Sequence, residues 1–232
     1  MPDAIMLVLL PGMDGTGELF TDFVAALSPT THASVVSYPP DQPLAYAALT
    51  SLVCARLPTR GPYVLLGESF SGPIAVALAA THPPGLCGVV LCCSFVRSPR
   101  PALTSLARLL PQRAMPSSVL SRVLLGRFAS PRTTEELARA LARVSPATIL
   151  ARLRAIADVD ATEELSRVRV PVLYLRATED RVVPRAASRL VARLLPSIRM
   201  VDVEGPHLLL QTVPHATARA VDVFVRGLAV IP

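Results

Sequence analysis

Apolar residues come in short runs separated by stretches with helical patterning. Residues 5–10 are continuously apolar and close on Pro11-Gly12; residues 34–38 close on Pro39-Pro40; further runs occupy 63–66, 89–93, 170–177 and 198–203. Runs of this length bounded by turn residues predict strands, and apolar character throughout predicts a sheet covered on both sides. Helical patterns fall between them, at 19–27, 44–56, 72–81, 185–195 and 215–228. Strands alternating with helices imply a parallel sheet, and right-handed crossovers make it doubly wound. The expected class is α/β, with about six mainly parallel strands and helices on both faces.

Residues 97–167 break the rhythm. They carry no strand pattern and read as three or four helices punctuated by Pro99, Pro101, Pro111, Pro116, Pro131 and Pro146. Thr133 and Glu136 are spaced as a capping box and predict a helix start there. Such a block between two strands is an excursion from the sheet. The expected organisation is a core of 1–96 and 168–232 with 97–167 as a helical cap.

Composition narrows the function. Of 232 residues 51% are hydrophobic and 17% charged, which excludes a disordered chain. No apolar run reaches the roughly 18 residues of a membrane span, and no basic stretch precedes the first apolar run as a secretory signal would require. Cys54, Cys87, Cys92 and Cys93 form no CxxC, so buried free thiols in a reducing cytoplasm are expected, with Cys92 and Cys93 on opposite faces of a strand. All 23 basic residues are Arg, which excludes a lysine Schiff base, a Walker-A lysine and a Ser-Lys dyad; the bias fits the codon usage of a GC-rich bacterial genome. The net charge of +6 is concentrated: residues 97–167 hold 12 Arg against six acids, the rest 11 against 11. Charge alone would admit a nucleic-acid binder, but with 4% aromatic residues and no helix-turn-helix, none is expected.

The third strand runs through Gly67-Glu68-Ser69-Phe70-Ser71-Gly72 into a helix. A nucleophile on a strained strand–turn–helix needs small neighbours two residues away, and the helix dipole favours negative charge there. Gly67 and Ser71 are small, although Ser71 stands where Gly is more usual. Serine needs a base and the base an orienting acid. His32 precedes a strand, His82 closes a helix and His215 opens one. His207, in Gly205-Pro206-His207, follows the last strand, where parallel sheets carry their chemistry. The acid should leave the preceding strand, where Glu179 and Asp180 are adjacent; Asp180 has the Asp-x-Val-x-Pro context and Glu179 is its rival. Gly15-Thr16-Gly17 is not a dinucleotide loop, since Phe20 stands where a third Gly is needed.

With Leu10-Pro11-Gly12-Met13-Asp14-Gly15, Gly67-Glu68-Ser69-Phe70-Ser71-Gly72, Asp180-Arg181-Val182-Val183-Pro184 and Gly205-Pro206-His207 in this order, the chain resembles the α/β-hydrolase superfamily over nearly its full length. It departs in having Pro11-Gly12 for the frequent His-Gly, and in lacking two initial antiparallel strands. The resemblance implies a Ser69–His207–Asp180 triad, an oxyanion hole from the N–H groups of Met13 and Phe70, and no metal or organic cofactor. The cap resembles those of small carboxylesterases, including pimeloyl-acyl-carrier-protein methyl ester esterases. Its apolar positions, Leu103, Leu106, Leu109, Leu110, Val119, Leu120, Val123, Leu124 and Leu125, would line an acyl channel; Leu124, Leu125 and Leu208 are the substrate-binding candidates. The expected activity is carboxylic ester hydrolysis in the cytoplasm. Thioesterase, acyltransferase and a catalytically silent binding protein are the alternatives. The expected substrate is a small-molecule ester, and the basic cap points to an acidic acyl carrier protein as a partner.

Overall fold

A computed structural model describes residues 5–100 and 117–228. The strands are β1 (Met6–Leu10), β2 (His32–Val35), β3 (Tyr63–Glu68), β4 (Leu86–Cys92), β5 (Val172–Ala177) and β6 (Arg199–Val203). They form one sheet in the order β2-β1-β3-β4-β5-β6, every pairing parallel. The chain winds outward from β1 to β2, returns across β1 to β3, and then proceeds in one direction. This reversal makes β1 and β3 neighbours.

The two-residue period of the strands divides the interior. Val8, Leu10, Leu65, Val89, Leu91 and Tyr174 face one way, against α2 (Tyr46–Cys54), α3 (Gly72–Ala79) and α8 (Arg185–Leu194). Leu7, Leu9, Val64, Leu66, Val90 and Leu175 face the other, against α1 (Thr21–Ala26), the short α9 (Leu209–Thr212) and α10 (Pro214–Leu228). A strand buried on both faces has no polar alternation, hence the unbroken runs. The edge strand β2 starts two residues earlier than its pattern suggested and is exposed, while Val36 and Tyr38 beyond it turn inward.

Four helices separate β4 from β5 among the described residues: α4 (Ser117–Leu124), α5 (Pro131–Ala142), α6 (Pro146–Asp158) and α7 (Thr162–Arg167). Helix α7 packs on α3, with Leu165 in the main core. Helix α5 begins before the expected Thr133. Ser130 is its N-cap: Ser130 Oγ accepts the Thr133 N–H at 3.1 Å, and Thr133 Oγ1 accepts the Ser130 N–H at 3.0 Å. Pro131 takes the first helical position, where its missing N–H costs nothing. The expected channel positions Leu103, Leu106, Leu109 and Leu110 lie outside the described residues. No helix among the described residues is long and apolar enough to cross a membrane.

The cysteines differ from expectation. Cys54 is exposed and Cys87 half-buried. Cys92 and Cys93 join the same apolar cluster, because Cys93 adopts φ 46° and the chain leaves the alternation of the strand.

Candidate active site

Ser69 sits in the left-handed region with φ 47°, between the end of β3 and α3. A serine reaches this region only where its surroundings impose it. Three features do so here. A Cβ at Gly67 would stand 2.7 Å from the Ser71 carbonyl oxygen. A Cβ at Gly72 would stand 1.8 Å from Ser94 Oγ. Ser94 Oγ in turn donates to the Ser69 carbonyl at 2.6 Å. The two glycines thus let strand, turn and helix approach closely, and Ser94 clamps the turn from β4.

Ser69 Oγ lies 2.8 Å from His207 Nε2, and His207 Nδ1 lies 2.9 Å from Asp180 Oδ2. With its Nδ1 proton donated to Asp180, the ring presents a lone pair at Nε2 to the serine hydroxyl. Asp180 Oδ1 accepts the N–H groups of Val182 and Val183, both at 2.8 Å, which orient the carboxylate. The His207 and Asp180 side chains are 3% and 7% exposed, while Ser69 is half-exposed. The neighbouring Glu179 faces away and pairs with Arg127 at 2.7 Å, which holds its carboxyl below the usual range. His32 is exposed on β2 and His215 lies in the first turn of α10. His82 has φ 52° just past the end of α3.

The loop after β1 lies beside this elbow. Ser71, the departure from Gly, has a use: its hydroxyl donates to the Pro11 carbonyl and accepts from Tyr38 OH at 2.6 Å. Gly15 N–H donates to Gly12 O at 3.0 Å and closes a turn over 12–15. The Met13 N–H has no hydrogen-bond partner among the described residues. Phe70 is stacked on Tyr46 at 4.7 Å and meets Tyr38 edge-on at 6.5 Å, and Tyr46 OH donates to the Phe70 carbonyl at 3.0 Å. These contacts fix the backbone of Met13 and Phe70 relative to Ser69.

A family model described as serine aminopeptidase, S33, of the hydrolases, matches residues 45–205. The chain belongs to this family of α/β-hydrolases. It is 26% identical to "Putative carbamate hydrolase RutD" of Pseudomonas syringae pv. syringae, over 96% of this chain and 94% of that protein. It is also 26% identical to the pimeloyl-[acyl-carrier protein] methyl ester esterase of Neisseria meningitidis serogroup C, over 88% and 87%. The enol-lactonase of Burkholderia xenovorans LB400 superposes with a TM-score of 0.83 at 22% identity, over 97% of this chain and 92% of that one, and shares the fold.

The hydrolase also buries polar groups that no motif announced. Glu68 is 1% exposed, and its Oε1 has no hydrogen-bond partner. Burial, and then the Asp14 charge, push its carboxyl up to about 7. The amide of Gln211 lies beside it, without hydrogen-bond geometry from either of its own atoms. Arg152, on α6, is wholly buried. An acid before Ser69 and one arginine among twelve have no sequence signature of burial.

Leu124, Leu125 and Leu208 come together: Leu208 N–H donates to Leu124 O at 3.2 Å, and all three join a cluster with Leu137, Leu19 and Leu141. They fill that cluster and do not line the neighbouring cleft. That cleft, about 470 Å³, lies between α5 and the 18–22 segment and is walled by Glu18, Asp22, Glu136, Arg139, Arg143 and Gln211. The basic excess is largely met from outside its segment. Arg127 pairs with Glu179 and Glu204, Arg132 with Asp22 and Glu136, and Arg143 with Glu18. Arg122, Arg139 and Arg154 are exposed and form no ion pair among the described residues.

Proposed function

We propose that the chain is a serine hydrolase that cleaves carboxylic esters through an acyl-enzyme. The observation that carries this reading is the hydrogen-bonded series Ser69–His207–Asp180, with Ser69 in the strained turn before α3. Ser69 Oγ bonds to the ester carbonyl carbon while its proton passes to His207 Nε2. The carbonyl oxygen becomes an oxyanion that accepts from the Met13 and Phe70 N–H groups. As the tetrahedral adduct collapses, His207 returns the proton to the departing alcohol, leaving the acyl group on Ser69. Water then attacks the acyl carbon, His207 takes its proton, and the acid leaves with Ser69 restored. Asp180 holds the imidazole tautomer and stabilises the imidazolium. The helices from 117 to 158 act as the cap over this site, supported by the ion pairs they make with the 18–22 segment and with the loops after β5 and β6.

The test is a panel of p-nitrophenyl esters and acyl thioesters from C2 to C16, with a fluorophosphonate probe. Ser69 alone should be labelled, and Ser69→Ala should lose at least about 10⁴-fold in kcat while keeping its Tm. Activity retained in that variant would refute the assignment. A second reading, a carrier-borne acyl group, rests on the three unpaired arginines of the cap and on the substrate named for the Neisseria relative.

A further inference from the structure

Arg152 reaches from the middle of α6 into the loop after β1. Its Nη1 donates to the Met13 carbonyl at 2.9 Å and to the Asp14 carbonyl at 2.8 Å, and its Nη2 donates to the Pro39 carbonyl at 3.1 Å. A wholly buried guanidinium is ordinarily matched by a carboxylate. Here the nearest one, Asp14, is bonded to the N–H and hydroxyl of Thr16, at 2.9 and 2.6 Å, and the cation is held by backbone carbonyls and by the Tyr38 ring at 5.8 Å. The planar fork suits this task, because it reaches two consecutive carbonyls from one nitrogen and a third from the other.

The loop is shaped around that fork. Gly15 has φ +70°, and a Cβ there would stand 2.6 Å from Nη1 and 2.9 Å from Cζ. The guanidinium therefore lies against the bare backbone of Gly15. Gly15 N–H bonds to Gly12 O, so the planar peptide joining Gly12 to Met13 directs the Met13 N–H away from the turn. The next two carbonyls, of Met13 and Asp14, are the ones that Arg152 holds. On its other side the loop is tied to the elbow through Pro11, Ser71 and Tyr38, and Tyr38 N–H donates to Gly15 O at 2.7 Å. Helix α6 is seated on the same stretch of chain, with Ser145 N–H donating to Pro40 O at 2.9 Å.

We propose that Arg152 is a positioning residue for the oxyanion hole, coupling the seating of α6 to the orientation of the Met13 amide. The inference rests on the reading of Met13 N–H as an oxyanion donor. The amide meets charge only in the tetrahedral adduct, so its misplacement costs turnover and leaves ground-state binding alone. A merely structural arginine would cost folded protein instead.

The experiment uses the full chain with Arg152→Lys, Arg152→Met and Arg152→Ala, and normalises every rate to sites titrated with fluorophosphonate. Lysine keeps the charge and most of the stem, and loses the fork. In Arg152→Lys and Arg152→Met, kcat per titrated site should fall about 10- to 100-fold, below the 10²–10³-fold typical of removing a donor outright, with KM within about twofold. The Ki of a trifluoromethyl ketone, which forms a tetrahedral adduct with the serine, should rise by the factor lost from kcat/KM. About 10 mM guanidinium should restore part of kcat to Arg152→Ala, and equal NaCl should not. Unchanged kcat per titrated site in Arg152→Lys, with or without a lower Tm, overturns the proposal. Failure of the wild-type protein to label at Ser69 would instead overturn the hydrolytic reading beneath it.

Discussion

Replacing Glu68 by glutamine should change how stability depends on pH. The carboxyl is buried, with one oxygen unpartnered, and is pushed from about 4.5 up to about 7 by desolvation and then by Asp14. Below about pH 4.5 the folded and unfolded chains both hold the proton and the site costs nothing. Between about 4.5 and about 7 the folded chain holds a proton that the unfolded chain has released, so stability falls as pH rises, by about 1.4 kcal/mol per pH unit. Above about pH 7 both states are ionised and the full cost stands, about 3 kcal/mol. For a chain of this size that is about 6–12 °C in Tm. Glutamine has the same shape and does not ionise. The difference in Tm, Glu68→Gln minus wild type, should therefore be about 6–12 °C larger at pH 8 than at pH 4.5, whatever its absolute sign. Differential scanning fluorimetry across pH 4.5–8.5 reads it, and other titrating groups cancel in the difference. A difference constant to about 2 °C would refute the reasoning. Asp14→Asn should flatten the wild-type slope, because it removes the charge that opposes ionisation.

Asp180→Asn should lower kcat on the order of 10⁴-fold, while Glu179→Gln, which breaks only an exposed pair with Arg127, should stay within about twofold in a p-nitrophenyl butyrate assay; the reverse ranking would move the acid by one residue. Gly72→Ala should lower stability by about 1–3 kcal/mol and disturb kcat, because its Cβ lands on Ser94, whereas Gly227→Ala, with open space and a helical site, should be neutral or stabilising; equal melting temperatures for the two would contradict the packing. If an acidic carrier protein docks on the cap, kcat/KM for a carrier-borne ester should fall steeply between about 50 and 300 mM NaCl and a neutral small ester should not. Arg122→Glu, Arg139→Glu and Arg154→Glu together should reproduce that loss, and equal salt slopes for both substrates would exclude it.

Local patterns carried much of this molecule. Each buried strand is apolar on both faces because the sheet is covered on both sides, so the runs alone predicted six strands. Their parallel pairing followed from the alternation of strands with helices, whereas the place of β1 beside β3 is decided by the folded sheet. That Ser69, Asp180 and His207 would meet was legible because each sits at a strand end in a short, sterically constrained motif. Helix α5 is capped three residues before the position its local pattern suggests, because Thr133 resembles an N-cap in isolation while Ser130 and Pro131 complete a better one.

Other features arise only when distant segments meet. The charge excess of residues 97–167 is real in the chain, yet folding sets Arg127, Arg132 and Arg143 against Glu179, Glu204, Asp22 and Glu18 from the core. A count along the sequence cannot register pairs closed across 52 to 125 positions. Ser71 reads as a tolerated substitute for Gly until Pro11 and Tyr38 converge on its hydroxyl. Arg152 is one arginine among 23, and nothing within its own helix distinguishes it from Arg154, which is exposed two residues later. Which of them is buried is decided by the carbonyls that the loop after β1 presents to α6, because a cation leaves water only where the assembled chain replaces its hydration.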